Sequence, residues 1–188
     1  MTNTVKNINM IEAVKLFFKN YFNFTGRASR SEYWWLILAY CIVIFVVAFI
    51  EGFIIGLMAY NDPYGALNIL RFWYLMPSNI LNFAMFIGLL SLVARRLQDR
   101  GHSGWWQSAN ILPGILFLIP YLAIVDSMIY GGSINPGAAI AATIFGIISF
   151  GTAVTLIVFL CLPPKEDENK WGRNPLLPET SLTDQIPD

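Results

Sequence analysis

Four long apolar stretches dominate the chain: residues 34–50, 77–94, 109–128 and 138–162, with the first helix able to continue to Met58. A helix crossing a bilayer needs about 20 mainly apolar residues, so each stretch predicts a membrane span. A shorter pattern precedes them. Between residues 8 and 24, Ile11, Val14, Phe18, Tyr21 and Phe22 recur at helical spacing, while Glu12, Lys15 and Lys19 face elsewhere. A basic amphipathic helix of this kind lies in the membrane interface with its aromatic face toward the headgroups; packing on a soluble partner is the competing reading. The predicted fold class is therefore an all-α membrane protein: four transmembrane helices preceded by an amphipathic interfacial helix. The first span is too long for the apolar region of a signal peptide and has no small-residue cleavage site after it, so it reads as uncleaved.

Local signals place the helix ends. Ser29 and Glu32 fit the S-x-x-E capping box and start the first span near Arg30. Tyr33, Trp34 and Trp35 suit an interfacial aromatic belt. Pro77 at a first turn costs no hydrogen bond, whereas Pro120 deprives the Leu116 carbonyl of its donor and predicts a kink. Ala138, Ala142, Gly146, Ser149 and Ala153 form a small-residue stripe of the kind that lets helices approach closely in lipid. Glu51 lies 17 residues beyond Trp34, roughly 26 Å along a helix axis. That places it near the far boundary of a core about 30 Å thick. Asp126 has the same depth. Either both are solvated there, or they flank a cavity or pair with Arg71.

Composition agrees: hydrophobic residues make up 56% and charged residues 13%, against about a quarter charged in soluble domains. The charges that remain are sorted. Of the twelve lysines and arginines, five precede the first span (Lys6, Lys15, Lys19, Arg27, Arg30) and three join the second and third (Arg95, Arg96, Arg100). Three more lie in the tail (Lys165, Lys170, Arg173), and Arg71 alone falls elsewhere. Basic loops stay in the cytoplasm, so both termini are predicted there. The domain reading is a cytoplasmic segment with the amphipathic helix at 1–32, the four-span domain at 33–162, and a polar, partly disordered cytoplasmic tail at 163–188. Cys41 and Cys161 sit in apolar runs and read as small buried hydrophobes, not a disulfide framework.

Three polar motifs lie on the predicted inner face. The first runs from Phe24 to Trp34 and includes Gly26, Arg27, Arg30 and Glu32. The second runs from Arg95 to Trp106 and includes Arg96, Asp99, Gly101, Ser103 and Trp105. The third is Asn169-Lys170-Trp171-Gly172-Arg173-Asn174-Pro175. With these motifs the chain resembles the DUF805 family of small bacterial inner-membrane proteins, which carry F-x-G-R-x-x-R-x-E-Y-W, R-R-x-x-D-x-G-x-S-G-W-W and N-x-[YF]-G-x-[DN]-P. The likeness extends from about Phe17 to Pro175, with Trp171 where Tyr is usual and Arg173 where Pro is common. It implies a bacterial cytoplasmic-membrane location and this architecture; the family brings no biochemical activity with it.

The motifs support two readings. In the structural one they build a tight hairpin: Asp99 pairs with Arg95 and Arg96 at helical spacing, Gly101 stops the helix, and Ser103 caps the next while Trp105 and Trp106 anchor it. In the sharper one, Arg27, Arg30, Arg95 and Arg96 converge on an anionic lipid or phosphate, for which the guanidinium fork is suited. Glu32 and Asp99 would leave two positive charges for that ligand to neutralise. Gly26, Trp34, Asn169, Gly172 and Pro175 support the site in either case. No catalytic triad, phosphate loop or metal set is legible, and His102 reads as a polar loop residue. The expected function is a non-enzymatic scaffold or accessory subunit without cofactor or nucleic-acid partner, binding anionic lipid, a membrane-protein partner or a second copy of itself. The alternative is an oligomeric component of a small transporter or channel.

Overall fold

The structure, a computed structural model, describes residues 8–62, 75–129 and 132–177. Lys6 and Arg71 lie outside them, so pairing of Arg71 with Glu51 or Asp126 does too. The helices are α1 (Met10–Lys19), α2 (Arg30–Asn61), α3 (Pro77–Asp99), α4 (Ser108–Ile129) and α5 (Pro136–Cys161). A 3-10 turn at Gly104–Gln107 leads into α4. The last four helices, α4 taken with that turn, are long and apolar enough to cross a membrane, and the chain is an all-α membrane protein of the predicted kind.

Helix starts follow the local chemistry. Asn9 caps α1 by accepting from the Glu12 amide at 2.9 Å, and Ser29 caps α2 by accepting from the Glu32 amide at 3.1 Å. The Glu32 carboxylate accepts in turn from the Ser29 backbone N–H, as the expected capping box requires, and also from Arg95. Met76, ahead of Pro77, has no side-chain acceptor to offer α3. Glu51 supplies it from α2, accepting from the Ser78 amide at 2.6 Å. A carboxylate among the orphan amides at a helix start meets both their hydrogens and the positive end of the helix dipole. Asp126 is exposed.

The spans are bare where lipid would surround them: none of the most apolar stretch of α2 is covered by the rest of the chain. Cys41 and Cys161 share this exposure, so they are not the buried residues expected. Helix α5 packs on α4 through its small stripe. Ala142 is buried, Gly146 lies against the Phe117 ring, and Asn110 donates to the Ser149 carbonyl at 3.0 Å and to Thr152 Oγ1 at 3.2 Å. Helix α4 is continuous through Pro113 and Pro120.

The buried core gathers at one end of the spans, where Phe17, Ala28, Tyr33, Leu36, Leu92 and Leu160 meet. Helix α1 docks there. Its expected apolar face divides: Val14 and Tyr21 pack on the core, while Ile11, Phe18 and Phe22 stay exposed. The side chain that anchors it is Phe17, fully buried against Gly88 of α3. The tail closes the same end. A short antiparallel hairpin pairs Glu168–Asn169 (β1) with Gly172–Arg173 (β2). This hairpin ties down part of the tail, and residues 178–188 of the tail expected to be partly disordered lie outside the described residues.

Candidate functional site: a buried arginine cluster

The end of α3 is the hub. Arg95, Arg96, Gln98 and Asp99 sit on its last turn, and all four are buried. The turn closes on Gly101 at φ +81°, with the Gly101 amide donating to Gln98 O and the His102 amide to Leu97 O, each at 3.0 Å. This double closure needs a left-handed residue, which glycine adopts freely.

Asp99 receives two guanidinium groups. Arg27 Nε donates to its Oδ1 at 2.8 Å, and Arg96 Nη1 donates to its Oδ2. Arg95 Nη1 donates to Glu32 Oε1 at 2.9 Å. Of the two pairings expected for Asp99 within the helix, the one to Arg96 forms, and Arg27 from 72 residues away replaces Arg95. Three arginines thus face two carboxylates.

The chain's own carbonyls meet the surplus charge. Arg27 reaches Glu166 O at 2.9 Å and Asp167 O and Gly172 O at 3.1 Å. Arg96 reaches Leu160 O at 3.0 Å, Ala28 O at 3.4 Å and Leu162 O. Leu160 and Leu162 lie at the C-terminal end of α5, where helix carbonyls lack partners and the dipole is negative, so Arg96 caps α5 from α3. Arg95 Nε and Nη2 have no partner among the described residues.

Lesser contacts complete the cap. Gln98 Nε2 donates to Phe24 O at 2.9 Å, and Asn169 Nδ2 donates to Gln98 O at 3.0 Å while its Oδ1 holds the Trp171 amide. Gly26 and Gly172 take φ +111° and +119°, turning the chain into and out of the cluster. Pro175 follows Asn174, whose amide closes on Asp167 O at 2.7 Å. Ser103 caps the 3-10 turn. Trp105 is largely exposed, and His102 is no simple polar loop residue: its ring stacks on Phe159 at 4.9 Å.

The structure therefore brings Arg27, Arg95 and Arg96 together and leaves Arg30 apart. The first three are at most 9% exposed, so a ligand reaches them only by displacing the chain. Arg30 is exposed, with no ion pair or hydrogen bond among the described residues. It edges a groove of about 650 Å³ with Ser31, Trp34, Trp35, Cys161 and Leu176. Three contributors were not legible from residue spacing: Gln98, Phe17 with Gly88, and the Glu51 cap. Each acts across more than twenty residues on a partner with no local signature. Among the described residues, no three His, Cys, Asp or Glu side chains gather as metal ligands.

Comparison with known proteins places this architecture. The family model described as "Protein of unknown function (DUF805)" matches residues 21–173, a range that takes in the cluster and its tail hairpin. The inner membrane protein YhaI of Escherichia coli K12 is 33% identical over 157 residues, covering 84% of this chain and 89% of the relative. The inner membrane protein YhaH of the same strain is 33% identical over 104 residues, covering 55% of this chain and 70% of the relative. No solved structure matches. With the family model spanning both arginine motifs and four spans in place, this chain belongs to the DUF805 family of membrane proteins.

Proposed function

We propose that this protein is a non-enzymatic scaffold or accessory subunit of a bacterial cytoplasmic membrane, with both ends in the cytoplasm and an anionic-lipid contact at Arg30 on its inner face. One observation carries the reading: of Arg27, Arg30, Arg95 and Arg96, three form a buried set bound by the chain itself and Arg30 alone is exposed. The buried set supports a rigid cap that holds α1, α3, α5 and the tail in one body. Arg30 stands at the first turn of α2, where headgroup phosphates would lie, between Ser31 and two indole rings.

The lipid contact predicts a specific loss. Arg30→Ala should reduce phosphatidylglycerol retained on the purified protein in native mass spectra by about fivefold, since a basic residue near an anionic surface contributes about 1 kcal/mol. Arg30→Lys should recover only part, lacking the bidentate fork, and Lys15→Ala should change little. Equal losses for Arg30→Ala and Lys15→Ala would reduce the site to generic positive charge. The orientation has its own check. Alkaline phosphatase fused after Asp62 or Asn135 should be active, and fused after Asp99 or Leu177 inactive; activity after Leu177 would refute a cytoplasmic tail.

A further inference from the structure

A second pocket lies on the other side of the hub, outside the arginine cluster. It holds about 620 Å³ between the end of α3, the Gly104–Gln107 turn and the start of α4, with Trp171 of the tail hairpin against it. None of its lining residues carries a charge. Lys170, which rests on the Trp171 ring at 4.3 Å, does not line it. This sets the pocket apart from the Arg30 groove and from the buried cluster, where guanidinium groups dictate the chemistry. A charged headgroup entering here would give up hydration and meet no opposite charge in the wall, a cost that an uncharged head does not bear.

The hydrogen-bonding capacity of the wall leans toward donors. Gln98 Oε1 and Gln107 Oε1 are buried, so neither faces the space. The Gln98 amide nitrogen is already bound to Phe24 O. The polar atom that Gln107 has left to offer is its amide nitrogen, and the indole N–H groups of Trp105 and Trp171 have no acceptor among the described residues. An indole N–H can only donate. Ser103 Oγ accepts from the Trp105 amide at 3.4 Å, which leaves its own hydrogen uncommitted. A group entering here therefore meets polar hydrogens, and the favoured occupant brings acceptors.

The remaining walls define its shape. Phe24, Trp105 and Trp171 all line the space. Phe24 and Trp105 are exposed, so both present ring surface that the chain itself does not cover. Trp171 is held by Lys170 on its ring and by the bond from its amide to Asn169 Oδ1 at 2.9 Å. Aromatic side chains favour a flat ring over a flexible head, because offset or edge-on ring contacts add to the area they bury. The dry side is formed by Leu90 and Ile111, which belong to spans α3 and α4. That side is continuous with the region of acyl chains, so the occupant comes from the bilayer and trails an apolar tail.

We infer that the pocket between α3, the Gly104–Gln107 turn and the tail hairpin binds the head ring of a lipid-soluble quinone. Such a ring is uncharged and flat, carries two carbonyl acceptors, and is attached to an apolar chain. Its carbonyls accept from the Gln107 amide and the indole N–H groups, its ring lies among the aromatic side chains, and its tail runs along Leu90 and Ile111.

A short-chain ubiquinone and dioctanoylglycerol make the test, since both are uncharged and bear carbonyl acceptors and only the first has a flat ring. The full chain is exposed to an equal mixture in mild detergent, and bound molecules are counted by native mass spectrometry. The expected result is an excess of ubiquinone of about two- to tenfold, the range that aromatic contacts add beyond burial. Dioctanoylphosphatidylglycerol added in excess should leave the quinone bound, because its charged head has no counterpart in this wall. Trp105→Leu removes one aromatic side chain from an exposed position, where the fold does not depend on it, and should lower the quinone excess. Ile111→Trp fills the pocket from α4 and should abolish quinone binding, so a folding defect in one variant leaves the other to decide. Equal retention of quinone and diacylglycerol by the wild-type protein, or displacement of the quinone by phosphatidylglycerol, overturns the assignment. An excess that is unchanged in either variant at the wild-type melting midpoint overturns it as well.

Discussion

Replacing Asp99 with alanine should lower the melting midpoint of the detergent-solubilised protein more than any other single truncation at this face. The side chains of Arg27 and Arg96 are 1% and 0% exposed and share this carboxylate. Removing one partner of a buried ion pair costs about 3–5 kcal/mol, because the stranded charge keeps its desolvation penalty. Here two charges are stranded together. The tail should loosen as well, since Arg27 holds Glu166, Asp167 and Gly172 only while Asp99 fixes its guanidinium. Thermal challenge followed by size-exclusion chromatography reads the first effect, and protease cleavage between Pro163 and Leu177 reads the second. Asp62→Ala, on an exposed loop position, is the control. A midpoint equal to that control would mean that the carbonyls alone suffice for the arginines.

Gly88→Leu should detach α1. A Cβ at this position would collide with the rings of Phe17 and Tyr21, and Phe17 has no exposed surface into which to retreat. Overpacking of a closed site costs about 1–3 kcal/mol, and more here if Ser91 also loses its 3.2 Å bond to the Asn20 carbonyl. The readout is faster proteolysis within Met10–Lys19 with the spans intact. Phe17→Ala alone should also destabilise, by about 3–5 kcal/mol, through the cavity it leaves. In the double variant the leucine occupies that cavity, so the combined loss should fall below the sum of the two. Additive losses would show that Gly88 and Phe17 do not meet.

The span pattern was legible because a bilayer imposes length and apolarity on each helix independently, and Gly101, Ser29 and Ser103 act on neighbours within five residues. The cluster was legible only in part. Arg96 with Asp99 follows from helical spacing, but nothing local tells Arg95 to choose Glu32 or Arg27 to choose Asp99. Those choices depend on how α2 and α3 lie side by side. The face of α1 shows the same limit: Phe18 and Phe17 are equally apolar, and only the gap at Gly88 decides which one is buried. Arg30 and Arg27 are likewise indistinguishable by type, and the tail's carbonyls select between them.

The capping of α5 by Arg96 also bears on how the protein is made. Arg96 emerges from the ribosome 64 residues before Leu160, the first of its partners in α5. Throughout that interval Arg96 and Arg100 lack the carbonyls of α5 and the tail that later receive them, and only Glu32 and Asp99 stand against the arginines of this end. Under the proposed orientation the arginines have two successive employments: first as a positive-inside signal for the nascent chain, then as the lock that the last span and tail close. A chain interrupted before Leu160 would lack that lock and leave Arg96 without its acceptors at the end of α5.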